Sequence, residues 1–224
     1  MRRVSEEVLN FLKALKENNN REWFNEHKSE FKILEAEVKA FGRQVTALLN
    51  NHDEIERTKQ FRIYRDIRFS KDKTPYKEHF GIHFQRRKPA LRGGYYLHIE
   101  PGDRSFIDAG FWNPTKEDIY RVRKEWEMDA EPIETILQNA TFKRYWGELH
   151  GEHLKTAPMG FDRGHPNIKL INFKQWLFQH RFADGEVLAE NFAEQVNDYF
   201  EQIRPFFDYM SDLLTTDLNG VSLI

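Results

Sequence analysis

The chain has 224 residues, with 34 Lys+Arg against 36 Asp+Glu and a formal charge of −2, a balance that excludes a globally basic nucleic-acid binder. Hydrophobic residues make up 39% and aromatics 14%, with 19 Phe, so large rings are expected to carry a core and disorder is argued against. Cys is absent, which removes disulfides, thiolate metal sites and a cysteine nucleophile, and no segment approaches the roughly 20 apolar residues of a membrane span. The expectation is a cytoplasmic protein without a membrane partner, folded as one α+β domain over residues 1–224.

Ser5, Glu6 and Glu7 predict a helix start, since a hydroxyl can cap free N–H groups and early carboxylates suit the positive helix end. Val8, Phe11, Leu12 and Leu15 then form one apolar stripe. Asn18, Asn19 and Asn20 stop that helix and offer a cap for the next. There Phe24, Phe31, Val38 and Val45 recur every seven residues beside Leu34, Phe41 and Leu48, predicting one long amphipathic helix that packs on the chain's own sheet.

From residue 61 the period becomes two, with Phe61, Ile63, Ile67 and Phe69 opposite Arg62, Tyr64, Asp66 and Arg68, the pattern of a half-buried strand. Further alternations follow in Phe80, Ile82 and Phe84, in Tyr95, Leu97 and Ile99, and from Ser105 to Trp112. Pro101, Gly102 and Asp103 make the turn between the last two, which indicates an antiparallel hairpin. The predicted fold class is therefore α+β, with a central antiparallel sheet over residues of about 61–112 packed against N-terminal and C-terminal helices. Pro114 and Thr115 reopen a helix carrying Ile119, Val122 and Trp126, and Glu131-Pro132 starts another. The text LKTAPMGFDRGHP, residues 154–166, is too rich in Pro and Gly for a regular element and is a candidate functional loop. Leu188, Phe192, Val196, Tyr199 and Ile203 share a helix face that Pro205 breaks before Phe206, Met210 and Leu213 resume it.

Residues 61–77 carry six cations against Asp66 and Asp72, and residues 61–92, with Arg86, Arg87, Lys88 and Arg92 added, reach +7 in a chain of net −2. One reading is a solvated network in which the two carboxylates pair with the cations. The other, preferred, is an anion site for phosphate or a nucleotide on a basic sheet face, because Arg forks match phosphate oxygens. Tyr64 and Tyr76 then serve as walls or hydrogen-bond donors. His98 alternates with Tyr96 and Glu100 on the polar face expected to carry Arg62 and Asp66, where an imidazole can act as acid or base.

RIYRDIRFSKDKTPYK, GYYLHIEPGD, GFWNP and LKTAPMGFDRGHP, with NNNREWF at residues 18–24, together resemble the family called domain of unknown function 2461. The resemblance runs from about Phe11 to the helices around Pro205. It implies a single conserved α+β domain of bacteria and fungi with no established activity. By motif it marks Arg62, Arg65, Asp66, Arg68, Asp72, Lys73, Pro75, Tyr76, Lys77, His98, Lys155, Pro158, Gly160, His165 and Pro166 as positions of interest.

The ligand-binding candidates are Arg62, Arg65, Arg68, Asp72, Lys73, Tyr76, Lys77 and Lys155, and the catalytic candidates are Asp66, His98 and His165. Whether the protein is an enzyme is left open and no cofactor is assigned. No metal site is expected, since His79 and His83, four apart on one strand, stand too far apart to clamp one ion. The partner expected first is a small anion. Nucleic acid comes second, with Tyr64, Tyr76 and Trp112 as stacking groups, and an acidic protein third.

Overall fold

The computed structural model describes residues 3–224. Along the chain, α1 (Glu6–Glu17), α2 (Arg21–Glu26) and α3 (Lys28–Leu49) precede β1 (Ile55–Gln60), β2 (Phe80–Arg86), β3 (Gly94–Ile99) and β4 (Ser105–Phe111). They are followed by α4 (Lys116–Met128), α5 (Glu131–Gln138), α6 (Ala140–Trp146), α7 (Ile168–Ile171), β5 (Trp176–Phe182), α8 (Asp184–Val187), α9 (Phe192–Gln202) and α10 (Arg204–Thr215). The five strands form one open antiparallel sheet in chain order, so the α+β class holds. No described helix is long and apolar enough to cross a membrane.

The contacts gather into two compact units. The first comprises Met1–Phe84, Tyr96–Ile107 and Arg181–Asp198, the second Gln85–Tyr95, Asp108–His180 and Tyr199–Ile224. In the first, α3 buries Phe31, Leu34, Val38, Phe41 and Val45, the stripe read from the sequence. Phe31 stacks on Phe80 and Phe41 on Phe192. In the second, Trp126 and Trp176 are fully buried and meet edge to face, and Trp126 Nε1–H donates to the Tyr209 hydroxyl.

Four expectations change. The long helix is two helices, because the chain leaves helical geometry at His27, where the ring stacks on Trp23 and Nδ1 lies 2.8 Å from the Trp23 carbonyl oxygen. Ser5 does not cap α1 with its hydroxyl. Its N–H and Oγ–H both donate to Glu37 on α3, at 2.7 and 3.1 Å. Residues 61–69 are not a strand, and Phe69, expected inside, is 95% exposed. The first strand is β1, whose charged sequence IERTKQ suits the sheet edge it occupies and lacks an apolar alternation. The sheet also takes β5, where Trp176, Phe178 and Phe182 are buried at alternate positions that the sequence reading passed over.

The turn at Gly102 and Asp103 holds as read, with φ of 83° and 58°. Gly110 on β4 has φ of 144°, and a Cβ there would stand 2.1 Å from the Trp176 carbonyl oxygen on β5. Gly110→Ala is expected to cost more than about 2 kcal/mol of unfolding free energy, because left-handed strain and a backbone clash act together. Gly185→Ala, with open space around it, is the control. Equal denaturation midpoints for the two variants in urea would contradict this account.

Candidate functional site

Residues 61–79 form a loop whose two arms pair briefly. Phe61 N–H donates to Gly81, Arg65 N–H to Pro75 and Lys77 N–H to Ile63, and Tyr64 bridges Tyr76. The tip is held by side chains instead of a ladder. Asp72 accepts from Thr74 N–H and Oγ1–H and from Arg65, and Lys73 donates to the Ile67 carbonyl. Such local acceptors compete with strand pairing, which is why an alternating sequence does not make a strand here.

The asparagine run pins this loop to the helices. Asn18 Nδ2–H donates to the Ala14 carbonyl at the end of α1, and Asn20 Oδ1 caps α2 through Trp23 N–H. Asn19 Nδ2–H donates to the Tyr76 carbonyl at 3.0 Å while its Oδ1 accepts from Tyr76 N–H at 3.1 Å. The Tyr76 ring then stacks on Phe24 with centroids 4.0 Å apart.

Between loop and helices lies a cavity of about 390 Å³ lined by Arg21, Asn25, Lys28, Tyr64, Arg65, Ile67, Pro75 and Tyr76. Three cations and no carboxylate line it. Arg65 uses Nη1 for both Asp72 and Thr74, so Nε and Nη2 carry its other N–H groups. Burial and then Tyr64 push the Tyr76 phenol up, with Arg21 opposing, so that hydroxyl remains a donor at neutral pH.

The other cations of the basic stretch go elsewhere. Arg68 forks onto Asp66 at 2.9 and 2.7 Å on the surface, and this hydrogen bonding holds the Asp66 carboxyl below its usual range. Thr74 N–H above all, and then Arg65, lower the Asp72 carboxyl to about 2. Arg62 and Lys73 are exposed, and half-buried Lys77 lies 5.4 Å from the Phe61 ring centroid. Its ammonium is pushed down by burial, then by Arg62 and Lys59. Arg86 and Arg92 belong to the second unit and brace it. Arg86 is fully buried, donates to Ser211 Oγ and the Arg92 carbonyl and sits 4.7 Å from the Phe207 ring centroid, while Arg92 pairs with Asp118 at 2.7 Å. The +7 stretch is therefore not one basic sheet face.

His98 occupies a separate nest in the first unit. Only 7% exposed, its ring lies between Phe106, at 4.4 Å and 14°, and His79, at 4.1 Å. Its Nδ1 is 3.2 Å from the Tyr96 hydroxyl and its Nε2 is 2.8 Å from Glu100 Oε2, whose companion Oε1 accepts from Arg104 at 2.7 Å. Burial, then Arg104 and Arg181, lower His98 to about 4. His79 falls to about 4 through burial, then His98, with Lys77 and Arg65 adding to the fall and Glu100 opposing it. Both imidazoles are neutral at pH 7, so the His98–Glu100 contact is a hydrogen bond from a neutral ring rather than an ion pair. One ligand atom from each of His79, His98 and Glu100 lies within 4.8 Å of the others. Gly81 makes room for this nest, since a Cβ there would stand 2.5 Å from the Tyr96 hydroxyl.

Of the candidates, Arg65 and Tyr76 share the cavity, while His98 sits in its own nest without Arg62 or Asp66, because residues 61–69 have no sheet face to share with it. Lys155 and His165 lie in the second unit, Lys155 exposed and His165 accepting from Asn167 N–H through Nδ1. The residues missed are Arg21, Asn25 and Lys28 in the cavity and His79 and Glu100 beside His98. Arg21 stood within the quoted NNNREWF motif, but nothing in its spacing tied it to Arg65.

An open five-stranded antiparallel sheet, a clamped 19-residue loop and a cation-lined cavity define the class as an α+β protein with a polar pocket in its first unit. The chain belongs to the family described as conserved hypothetical protein (DUF2461), whose model matches residues 7–209. No protein with a curated description and no solved structure matches it.

If Asn19 clamps the loop, Asn19→Ala leaves two backbone groups of Tyr76 to water. Amide exchange at Arg65, Tyr76 and Lys77, followed by mass spectrometry, should then rise roughly tenfold or more, in line with a lost net interaction of about 1–2 kcal/mol. Unchanged protection at these amides would refute the clamp.

Proposed function

We propose that the first unit binds a phosphate-bearing small molecule, a nucleotide being one that fits, in the cavity between the loop and the starts of α2 and α3. The supporting observation is the convergence of Arg21, Lys28 and Arg65 on one concavity walled by Tyr64 and Tyr76. Guanidinium forks and an ammonium neutralise phosphate charge, and the exposed Tyr64 ring takes a flat ring or sugar. The cavity volume lies within the range of small-molecule sites, roughly 300–1,000 Å³. Phosphoryl chemistry asks mainly for neutralisation and positioning, so binding and catalysis call on the same residues here. The absence of Cys accords with a cytoplasmic setting.

A second reading, single-stranded nucleic acid, draws on Phe69, which is 95% exposed at the loop tip with the Arg68 guanidinium 6.0 Å from its ring centroid. An exposed ring among cations is a stacking platform.

Calorimetry with pyrophosphate and a panel of mononucleotides separates the two. In the small-molecule reading, Arg65→Ala and Lys28→Ala each weaken binding roughly 10- to 100-fold, the scale of a lost charge-assisted hydrogen bond, while Lys73→Ala and Lys155→Ala leave it unchanged. Binding of single-stranded RNA that is lost in Phe69→Ala and kept in Arg65→Ala favours the second reading. No phosphate binding by the folded wild type rejects the first.

A further inference from the structure

The nest around His98 contains more donor chemistry than a satisfied core histidine needs. His98 alone would be content with Tyr96 and Glu100, yet the His79 ring lies 4.1 Å from it, tilted by 31°, with a third donor atom in reach. We propose that His79, His98 and Glu100 form a mononuclear site for a borderline divalent cation of the zinc class. Two imidazole nitrogens and one carboxylate oxygen are the donors that favour zinc, iron or cobalt, whereas magnesium and calcium prefer oxygen alone. Three protein ligands leave a coordination position open, as catalytic sites do and closed structural sites do not.

Neighbouring groups fit supporting roles. With His98 Nε2 on the metal, the proton resides on Nδ1, which then donates to the Tyr96 hydroxyl. With Glu100 Oε2 on the metal, Oε1 stays fixed by Arg104. Ligating groups are commonly oriented by such hydrogen bonds on their far side. His98 Nε2 and Glu100 Oε2 stand 2.8 Å apart. Ligand atoms at bonds of about 2.0–2.1 Å from a tetrahedral zinc are about 3.3 Å apart, so entry of the ion parts this pair by about half an ångström, and the His79 ring, 4.1 Å from His98 by centroids and tilted by 31°, turns to aim a nitrogen at the ion.

The nearby cations shape what the open position accepts. Arg104 and Arg181 act on His98, and Lys77 and Arg65 act on His79. They oppose the ion in isolation and favour an anionic exogenous ligand on it. None of the three protein ligands lines the cation-lined cavity, so the site stands independently of the phosphate reading.

The test is a titration of chelator-stripped protein with Zn²⁺, read by calorimetry, and with Co²⁺, read by the visible bands of a tetrahedral nitrogen and oxygen site. The expected result is one equivalent bound per chain. Half-buried His79 allows His79→Gln without emptying the nest, and Glu100→Gln keeps its shape. Each should weaken Zn²⁺ binding roughly 100-fold, and Tyr96→Phe roughly tenfold. His153→Ala and His165→Ala should leave it unchanged. The proposal is overturned if folded wild type takes up no stoichiometric Zn²⁺, or if folded His79→Gln and Glu100→Gln bind it as the wild type does. Neither readout involves phosphate, so failure here leaves the cavity reading intact.

Discussion

The side chain of Asn19 satisfies both the N–H and the C=O of Tyr76, 57 residues further along the chain. An amide is the one uncharged side-chain group that carries a donor and an acceptor at the spacing of a peptide, so it can stand in for a neighbouring strand. Loop 61–79 has only a short pairing between its arms. Without the asparagine and the Phe24–Tyr76 stack, closing a loop of this length would return little enthalpy for its entropy. The placement of Arg65 and Tyr76 against Arg21 and Lys28 depends on this attachment, and so does the approach of the chain to His79 at the foot of β2.

Cations that look alike in the sequence end in three physical environments. At the loop tip Arg68 is exposed and paired with Asp66, where water and salt leave such a pair little energy. Along the cavity, half-buried Arg65 is set beside Arg21 and Lys28, whose side chains are themselves exposed. In the second unit Arg86 is fully buried and held by Ser211, a carbonyl, an aromatic face and Asp208 at 3.6 Å, a structural use in which removing one partner costs most. Net charge counts these cations equally, while the dielectric around each decides what it contributes.

Much of the fold was legible. The stripe of Phe31, Leu34, Val38, Phe41 and Val45, the alternations of β2 to β4 and the Gly102-Asp103 turn are local periodicities and local torsions, and they appear where the sequence placed them. The misplaced first strand is instructive. Residues 61–69 alternate, but period two needs a partner to become a strand, and Asp66 and Asp72 offer the tip nearer acceptors for its N–H groups. The true edge strand, IERTKQ, is polar because edges are protected by charge, and so it carries almost no period-two signal.

The candidate sites divide along the same line. From the sequence alone came the chemistry available: no thiols, many arginines, a few histidines, and a loop motif dense in cations and tyrosines. Arg65 and Tyr76 stand out in the sequence through the charged motif, and His98 through its alternation with Tyr96 and Glu100. Only the tertiary structure decided which groups meet. It set Arg21 and Lys28 beside Arg65, separated His98 from Arg62 and Asp66, and brought His79 and Glu100 to His98. Periodicity records which face a residue shares with its near neighbours. The distance between residue 21 and residue 65, or between residue 79 and residue 98, is set by strand pairing and by one asparagine side chain, and composition encodes neither.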